Sequence, residues 1–319
     1  MNVTMRSEIS DTPARIAIIG AGHVGATTAY ALMLRALVSE IVLIDANMEL
    51  AEAEAADISD ANALARPARI WAGDYSDAAS ARIAIITAGA ATQGHESRLS
   101  VLADSAAIVK KCTKSLADAG FSGIILVAAN PVDLMAHVAF QHAGLDVQRV
   151  IGTGTLLDSN RLRQVLATKF EVAPNVVTGL ILGEHGDSAV AAFSNVRIGG
   201  LTMVEFAAPN PAPDTDAVAR EVRDSAYQIV AGKGYTSFGV ATAIVRICEA
   251  ILRNEQTVLP VSTLLTGQFG IHDVYLSLPC VLGSQGVERV LVPDLTADEQ
   301  AALVQSAAII RKAMMDVAV

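Results

Sequence analysis

The stretch Leu-Gly-Glu-His-Gly-Asp-Ser at 182–188 sets a histidine between two glycines and two carboxylates, directly after the apolar run VVTGLIL. Histidine titrates near neutrality, the property that proton transfer at ordinary pH needs. His185 is therefore a candidate proton carrier, although the same window also reads as a polar turn with a solvated histidine. A second charged group lies in GTGTLLDSNRLRQVL, where Asp158 and Arg161 stand three apart on a predicted helix and project from one face. A solvated ion pair at that spacing would be worth little, yet this one lies among Leu156, Leu157 and Leu162. A third candidate is Arg98 in the polar loop ATQGHESRLSVL, which reads equally well as a surface cation at a helix start.

A fourth feature binds rather than reacts. RIAIIGAGHVGATTAYAL places Gly20, Gly22 and Gly25 in a G-x-G-x-x-G pattern between a strand and a helix. The first glycine allows the tight turn, the second a close approach of backbone to a pyrophosphate, and the third close helix–strand packing. The pyrophosphate would sit at the helix N-terminus, where free amides and the dipole favour negative charge. The next strand ends VLIDAN, so Asp45 follows Gly25 by twenty positions. A carboxylate there accepts from a ribose diol and repels a 2′-phosphate, which selects NAD over NADP.

These groups need a scaffold, and the apolar pattern supplies one. From 15 to 152, short β-branched runs (RIAIIG, EIVLID, RIAIITA, GIILVAA) alternate with alanine-rich helical stretches such as 48–65 and 100–119. Near-continuous apolar strands joined by helices predict a doubly wound parallel sheet covered on both faces. In such a sheet ligands sit at the carboxyl ends of the strands; Arg98 and Asn130 of AANPVD both follow strands at that edge. After about 153 the rhythm becomes α+β: a helix over 156–170, strands around 176–199, a long helical region over 214–252, strands from 257 to 292 and a closing helix over 296–315. The expected division is a tail over 1–14, an NAD-binding unit over 15–152 and a substrate unit over 153–319.

Composition narrows the class. A chain of 319 residues suits about two domains. A hydrophobic fraction of 52% against 18% charged residues supports large packed cores. No apolar run approaches the roughly 20 residues of a membrane span, and MNVTMRSEISDTPAR has no apolar segment of a signal peptide. The net charge of −10 and the lack of a basic stripe argue against nucleic acid. Cys112, Cys248 and Cys280 have neither metal nor redox spacing and read as buried thiols of a reducing cytoplasm.

GAGHVG, IDAN, AGA…ESRL, NPVD, GTGTLLDSNRLR, GEHGDS and GKGYTSFGVA stand in the order and spacing of the L-lactate/L-malate dehydrogenase family, which the chain resembles from residue 15 onward. The resemblance implies a Rossmann domain, NAD as cofactor, and hydride transfer between NADH and a small 2-oxo acid. It implies that His185 exchanges the carbonyl proton, with Asp158 holding the other ring nitrogen as in a serine-protease triad. Arg161 would clamp the substrate carboxylate through two parallel hydrogen bonds. Arg98 would close over the substrate on a mobile loop and polarise its carbonyl. Asn130 and Thr236 would support the substrate pocket. Gly20, Gly22, His23, Val24, Gly25, Asp45, Ala88, Gly89 and Asn130 would line the cofactor. A homotetramer or homodimer is implied, with no metal.

Two departures refine the expectation. Substrate choice in this family rests on the residue six before the loop arginine, Gln for lactate and Arg for malate; here it is Thr92, with Gln93 beside it. Enclosing the second carboxylate of oxaloacetate without a cation would cost several kcal/mol, so Thr92 argues against malate unless another cation reaches in. Its small size leaves room for branched or aromatic side chains. The sugar-bisphosphate site of many bacterial lactate dehydrogenases needs an Arg and a His; Arg163 matches, but Thr178 stands at the histidine position, so no activation is expected. The competing reading, a non-catalytic NAD-binding protein on this fold, would be free to lose any of Arg98, Asp158, Arg161 and His185.

Overall fold

The structure, a computed structural model, describes residues 14–65, 68–90 and 98–317, with residues 98–100 described by their backbone alone. Arg98 opens a helix, but its side chain lies outside the described residues, as do Thr92 and Gln93.

Six strands pair in parallel: β1 (Arg15–Ile19), β2 (Glu40–Ile44), β3 (Arg69–Ala72), β4 (Ile83–Ile86), β5 (Ile124–Val127) and β6 (Val150–Gly152). Their spatial order is β3-β2-β1-β4-β5-β6, so the winding reverses between β1 and β4. The β-branched runs are buried on both faces because side chains alternate between two cores. Ile16 and Ile18 pack with α1 (His23–Arg35) and α2 (Met48–Asn62). Ala17 and Ile19 pack with α3 (Tyr75–Ala78), α4 (Arg98–Asp118) and α5 (Val132–Ala143). Each such isoleucine contributes about 1.5–3 kcal/mol of burial.

Beyond β6 come α6 (Leu156–Lys169), the short strands β7 (Val177–Thr178), β8 (Ile181–Leu182), β9 (Val190–Ala191) and β10 (Arg197–Ile198), and α7 (Met203–Ala207). The helical region expected over 214–252 is two helices, α8 (Thr215–Lys233) and α9 (Phe238–Leu252), broken where Gly234 turns left-handed at φ +87°. Three antiparallel strands follow, β11 (Thr257–Thr266), β12 (His272–Gly283) and β13 (Gly286–Val290), then α10 (Ala297–Asp316). These strands do not form a sheet of their own. β11 joins β6 where Ser262 faces Gly152, giving nine continuous strands. Gly152 permits the join, since a Cβ there would lie 2.9 Å from the Ser262 Cβ.

Cys112, Cys248 and Cys280 are buried free thiols. No described helix is long and apolar enough to cross a membrane.

Candidate active site

The carboxyl ends of the parallel strands gather the binding loops. Gly20, at φ +108°, brings the β1–α1 turn against the segment after β4, and a Cβ there would lie 2.7 Å from the backbone nitrogen of Ala88. A Cβ on Gly25 would lie 1.8 Å from the Gly20 carbonyl, so the helix can meet the turn only through glycine. Gly22 is different: a Cβ there would meet nothing within 4 Å. Open space therefore fronts the N-terminus of α1, whose first turn carries His23 and Val24 and no acidic residue. That cradle fits a pyrophosphate.

Asp45 lies beyond β2, and both its oxygens already accept backbone N–H groups, from Ala21 at 2.6 Å and Asn47 at 2.8 Å. The carboxylate thus braces the glycine loop and keeps further lone pairs for a ribose. Ala88 and Gly89 follow β4 at this edge, and Asn130 follows β5 exposed. The residues present fit NAD.

The reacting groups meet beside this cradle. α6 starts immediately after β6, so Asp158 and Arg161 fall in its first turns, and the loop after β8 returns His185 to them. His185 Nδ1 lies 2.5 Å from Asp158 Oδ2, and Arg161 Nη1 donates to Asp158 Oδ1 at 2.9 Å. The Asp158 and Arg161 side chains are each only 14% exposed, which removes the reading of a solvated pair. Burial disfavours the imidazolium of His185, but the hydrogen bond and charge of Asp158, helped by Asp133, outweigh it and raise the pKa. Burial likewise pushes the Asp158 carboxyl upward, and His185 and Arg161 more than offset it, holding it below its ordinary value. Asp158 therefore stays a carboxylate, and Nε2 of His185 is left for a proton exchange.

A cavity of about 200 Å³ opens onto these three side chains. Its far wall is one face of α8, where Ala219, Val222, Arg223, Ala226 and Tyr227 recur at helical spacing. The Tyr227 hydroxyl donates to Asp187 at 2.7 Å across the mouth. Thr236, expected near the substrate, is not among the lining residues; it lies between α8 and α9, next to Tyr235, whose ring stacks on His23 at 3.9 Å. Glu184 turns away from the cavity and accepts from the Ser188 hydroxyl.

Sequence reasoning missed Asp133. This carboxylate on α5 is 1% exposed, accepts the backbone N–H of His185 at 2.7 Å, and accepts the Ser262 hydroxyl at 2.6 Å. Burial drives its pKa up to about 6, against the lowering effect of those two hydrogen bonds. The available signal was a carboxylate in the mostly apolar run VDLMAHVA. Arg223 and Tyr227 were missed for a simpler reason: nothing in the sequence told which face of α8 meets the cavity.

Comparison with known proteins places this geometry in a lineage. Residues 14–152 match the lactate/malate dehydrogenase NAD binding domain, and residues 155–318 match the lactate/malate dehydrogenase alpha/beta C-terminal domain. An L-lactate dehydrogenase of Priestia megaterium is 42% identical over 311 residues, covering 97% of this chain and 98% of that one. One from Moorella thermoacetica is 42% identical over 300 residues, covering 92% and 95%. Among solved structures, a lactate dehydrogenase from a Medee basin deep-sea metagenome library superposes with a TM-score of 0.93 at 37% identity, covering 96% of this chain and 99% of that one. The ligand-bound minor L-lactate dehydrogenase of Enterococcus mundtii superposes at 0.92, also 37% identical, covering 95% and 98%. The chain belongs to the lactate/malate dehydrogenase family.

Proposed function

We propose that this protein is an NAD-dependent L-2-hydroxy-acid dehydrogenase of the L-lactate dehydrogenase type, interconverting a small 2-oxo monocarboxylic acid such as pyruvate with its 2-hydroxy acid. The observation that carries this reading is the Asp158 carboxylate shared between His185 and Arg161 at 2.5 and 2.9 Å. NADH, when bound, supplies the hydride. His185 delivers the proton to the carbonyl oxygen from Nε2 while Asp158 stabilises its cationic form and fixes the ring. Arg161 presents its remaining N–H groups to the substrate carboxylate. Arg98 and Asn130 would polarise the carbonyl, with Thr92 and Thr236 at the substrate side chain. Gly20, Gly22, His23, Val24, Gly25, Asp45, Ala88, Gly89 and Asn130 would hold the cofactor. In this reading 15–152 is the cofactor unit, 153–319 the substrate unit and 1–14 a tail. The enzyme works in the cytoplasm as a homotetramer or homodimer.

A second reading has support of its own. Ala189, Ala191, Ala219 and Ala226 line the cavity, and such short side chains leave room for a substrate larger than pyruvate. Arg223 lines it too, so oxaloacetate belongs in the comparison despite Thr92. NADH oxidation with pyruvate, 2-oxobutyrate, 4-methyl-2-oxopentanoate, phenylpyruvate and oxaloacetate separates these cases. The highest kcat/KM with pyruvate is the expected result. A preference for the branched or aromatic acids would transfer the assignment to the second reading, and no turnover of any would refute both.

A further inference from the structure

A second cavity lies at the opposite edge of the sheet from the glycine loop. It has a volume of about 420 Å³, and its polar lining is Ser80, Arg82, Ser122, Arg149, Ser284 and Gln285. Arg82 immediately precedes β4, Ser122 lies just before β5, and Arg149 immediately precedes β6. The cavity therefore sits at the amino ends of the strands, and the parallel strands of 3–5 residues separate it from the NAD cradle by roughly 10–17 Å at ~3.3 Å per residue.

Its electrostatics run against those of the chain. The net charge is −10, yet among the described residues no Asp or Glu lines this cavity and two guanidiniums do. Arg149 is fixed by neutral acceptors alone: Nη1 donates to the Ser122 carbonyl at 2.7 Å and Nη2 to Gln285 Oε1 at 3.1 Å. Its Nε is buried with no partner among the described residues. The Arg82 side chain makes no hydrogen bond or ion pair with the described residues. Arg15, which does not line the cavity, is paired with Glu40 at 2.6 Å, and its Nη1 donates to Ser80 Oγ at 3.0 Å. That bond occupies the oxygen of Ser80 and leaves its O–H free to donate. Gly286, at φ +101°, lets the β12–β13 turn pack against the Gln148 carbonyl, 2.0 Å from where a Cβ would stand.

We infer that this cavity binds a phosphate group between Arg82 and Arg149. Two guanidiniums with no carboxylate partner among the described residues match a dianion, and their planar forks suit phosphate oxygens bidentately. With an overall field that repels anions, affinity must come from such local cations. The volume falls within the range of small-molecule sites, roughly 300–1,000 Å³, which favours a phosphate monoester of metabolite size over phosphate alone.

Calorimetric titration of the NADH-saturated, full-length protein tests this, since the glycine loop is then filled. The probes are inorganic phosphate, inorganic pyrophosphate and glycerol 3-phosphate. The expected result is one equivalent bound per chain, weakened at least tenfold in Arg82→Gln. In Arg82→Asp, where the new carboxylate would pair with Arg149, that equivalent is lost while 2-oxo-acid reduction is unchanged. Tighter binding of glycerol 3-phosphate would identify a monoester; equal binding would identify the free ion. No binding of any probe to the wild type would overturn the inference, and so would Arg82→Gln binding as tightly as the wild type. Because the readout is heat of anion binding, failure of this inference leaves the dehydrogenase assignment untouched.

Discussion

His185 and Asp158 are joined at 2.5 Å through Nδ1 and Oδ2, across 27 residues of sequence. The contact makes the protonation of one residue depend on the charge of the other. Burial alone would favour neutral imidazole, and Asp158 reverses that preference.

A pH profile follows. Reduction needs the imidazolium, so kcat/KM for a 2-oxo acid should fall as pH rises through a value above the ordinary 6.5 of histidine. Oxidation needs the neutral ring and should rise through the same value. Asp158→Asn removes the stabilising charge, and both limbs should move to lower pH. A variant profile that overlays the wild type would show that Asp158 does not set this titration. The stability linkage has the matching sign. Since the folded pKa of His185 is raised, its contribution is complete below the unfolded value and fades as pH climbs through the folded one.

Arg161→Lys keeps the charge and loses the fork. The expected loss is about 2–5 kcal/mol of transition-state binding, the size typical for a disrupted buried charge pair. Steady-state kinetics should therefore give a kcat/KM at least about 30-fold lower, the ratio that 2 kcal/mol represents. An unchanged value would mean the substrate carboxylate binds elsewhere.

Asp133 has the opposite linkage to an ordinary ion-paired carboxylate. Its folded pKa of about 6 lies above the 3.8 of an ordinary aspartate. The folded state therefore holds its proton more tightly, and stability falls as pH rises between those values. Asp133→Asn should remove that slope. The wild-type advantage over the variant, measured by denaturant unfolding at pH 4 and pH 7, should shrink by about 2 kcal/mol, at about 1.4 kcal/mol per tenfold change in proton affinity. A constant difference would place the titration elsewhere.

Fructose bisphosphate should not lower the half-saturation for substrate. Arg163 Nε points to the Gly179 carbonyl at 3.4 Å, and Thr178 offers a hydroxyl where a cation would be needed. Activation by the sugar would show that some other group completes such a site.

How much of this was legible depended on whether a feature is local. The glycine turn, the alternation of apolar strands and helices, and the i,i+3 pair Asp158–Arg161 are written in short windows, and the structure carries all of them. The continuation of the sheet through Ser262 and Gly152 was not legible, because a single pairing between residues 110 apart leaves no periodic trace. The hold of Asp45 on the glycine loop was also hidden, since hydrogen bonds to backbone amides leave no mark on residue type. Asp133 could have been suspected from its buried place in the first turn of α5, but not its contact with His185, which depends on the loop after β8 meeting that helix. The roles expected of Arg98 and Thr92 fall on side chains outside the described residues.

The most direct test of the account is His185→Ala, assayed by NADH fluorescence titration and by NADH oxidation with pyruvate. NADH affinity should equal that of wild type, because His185 lies outside the glycine cradle, with turnover reduced by at least about 100-fold, the lower end of general acid catalysis. Turnover within a few-fold of wild type would contradict it.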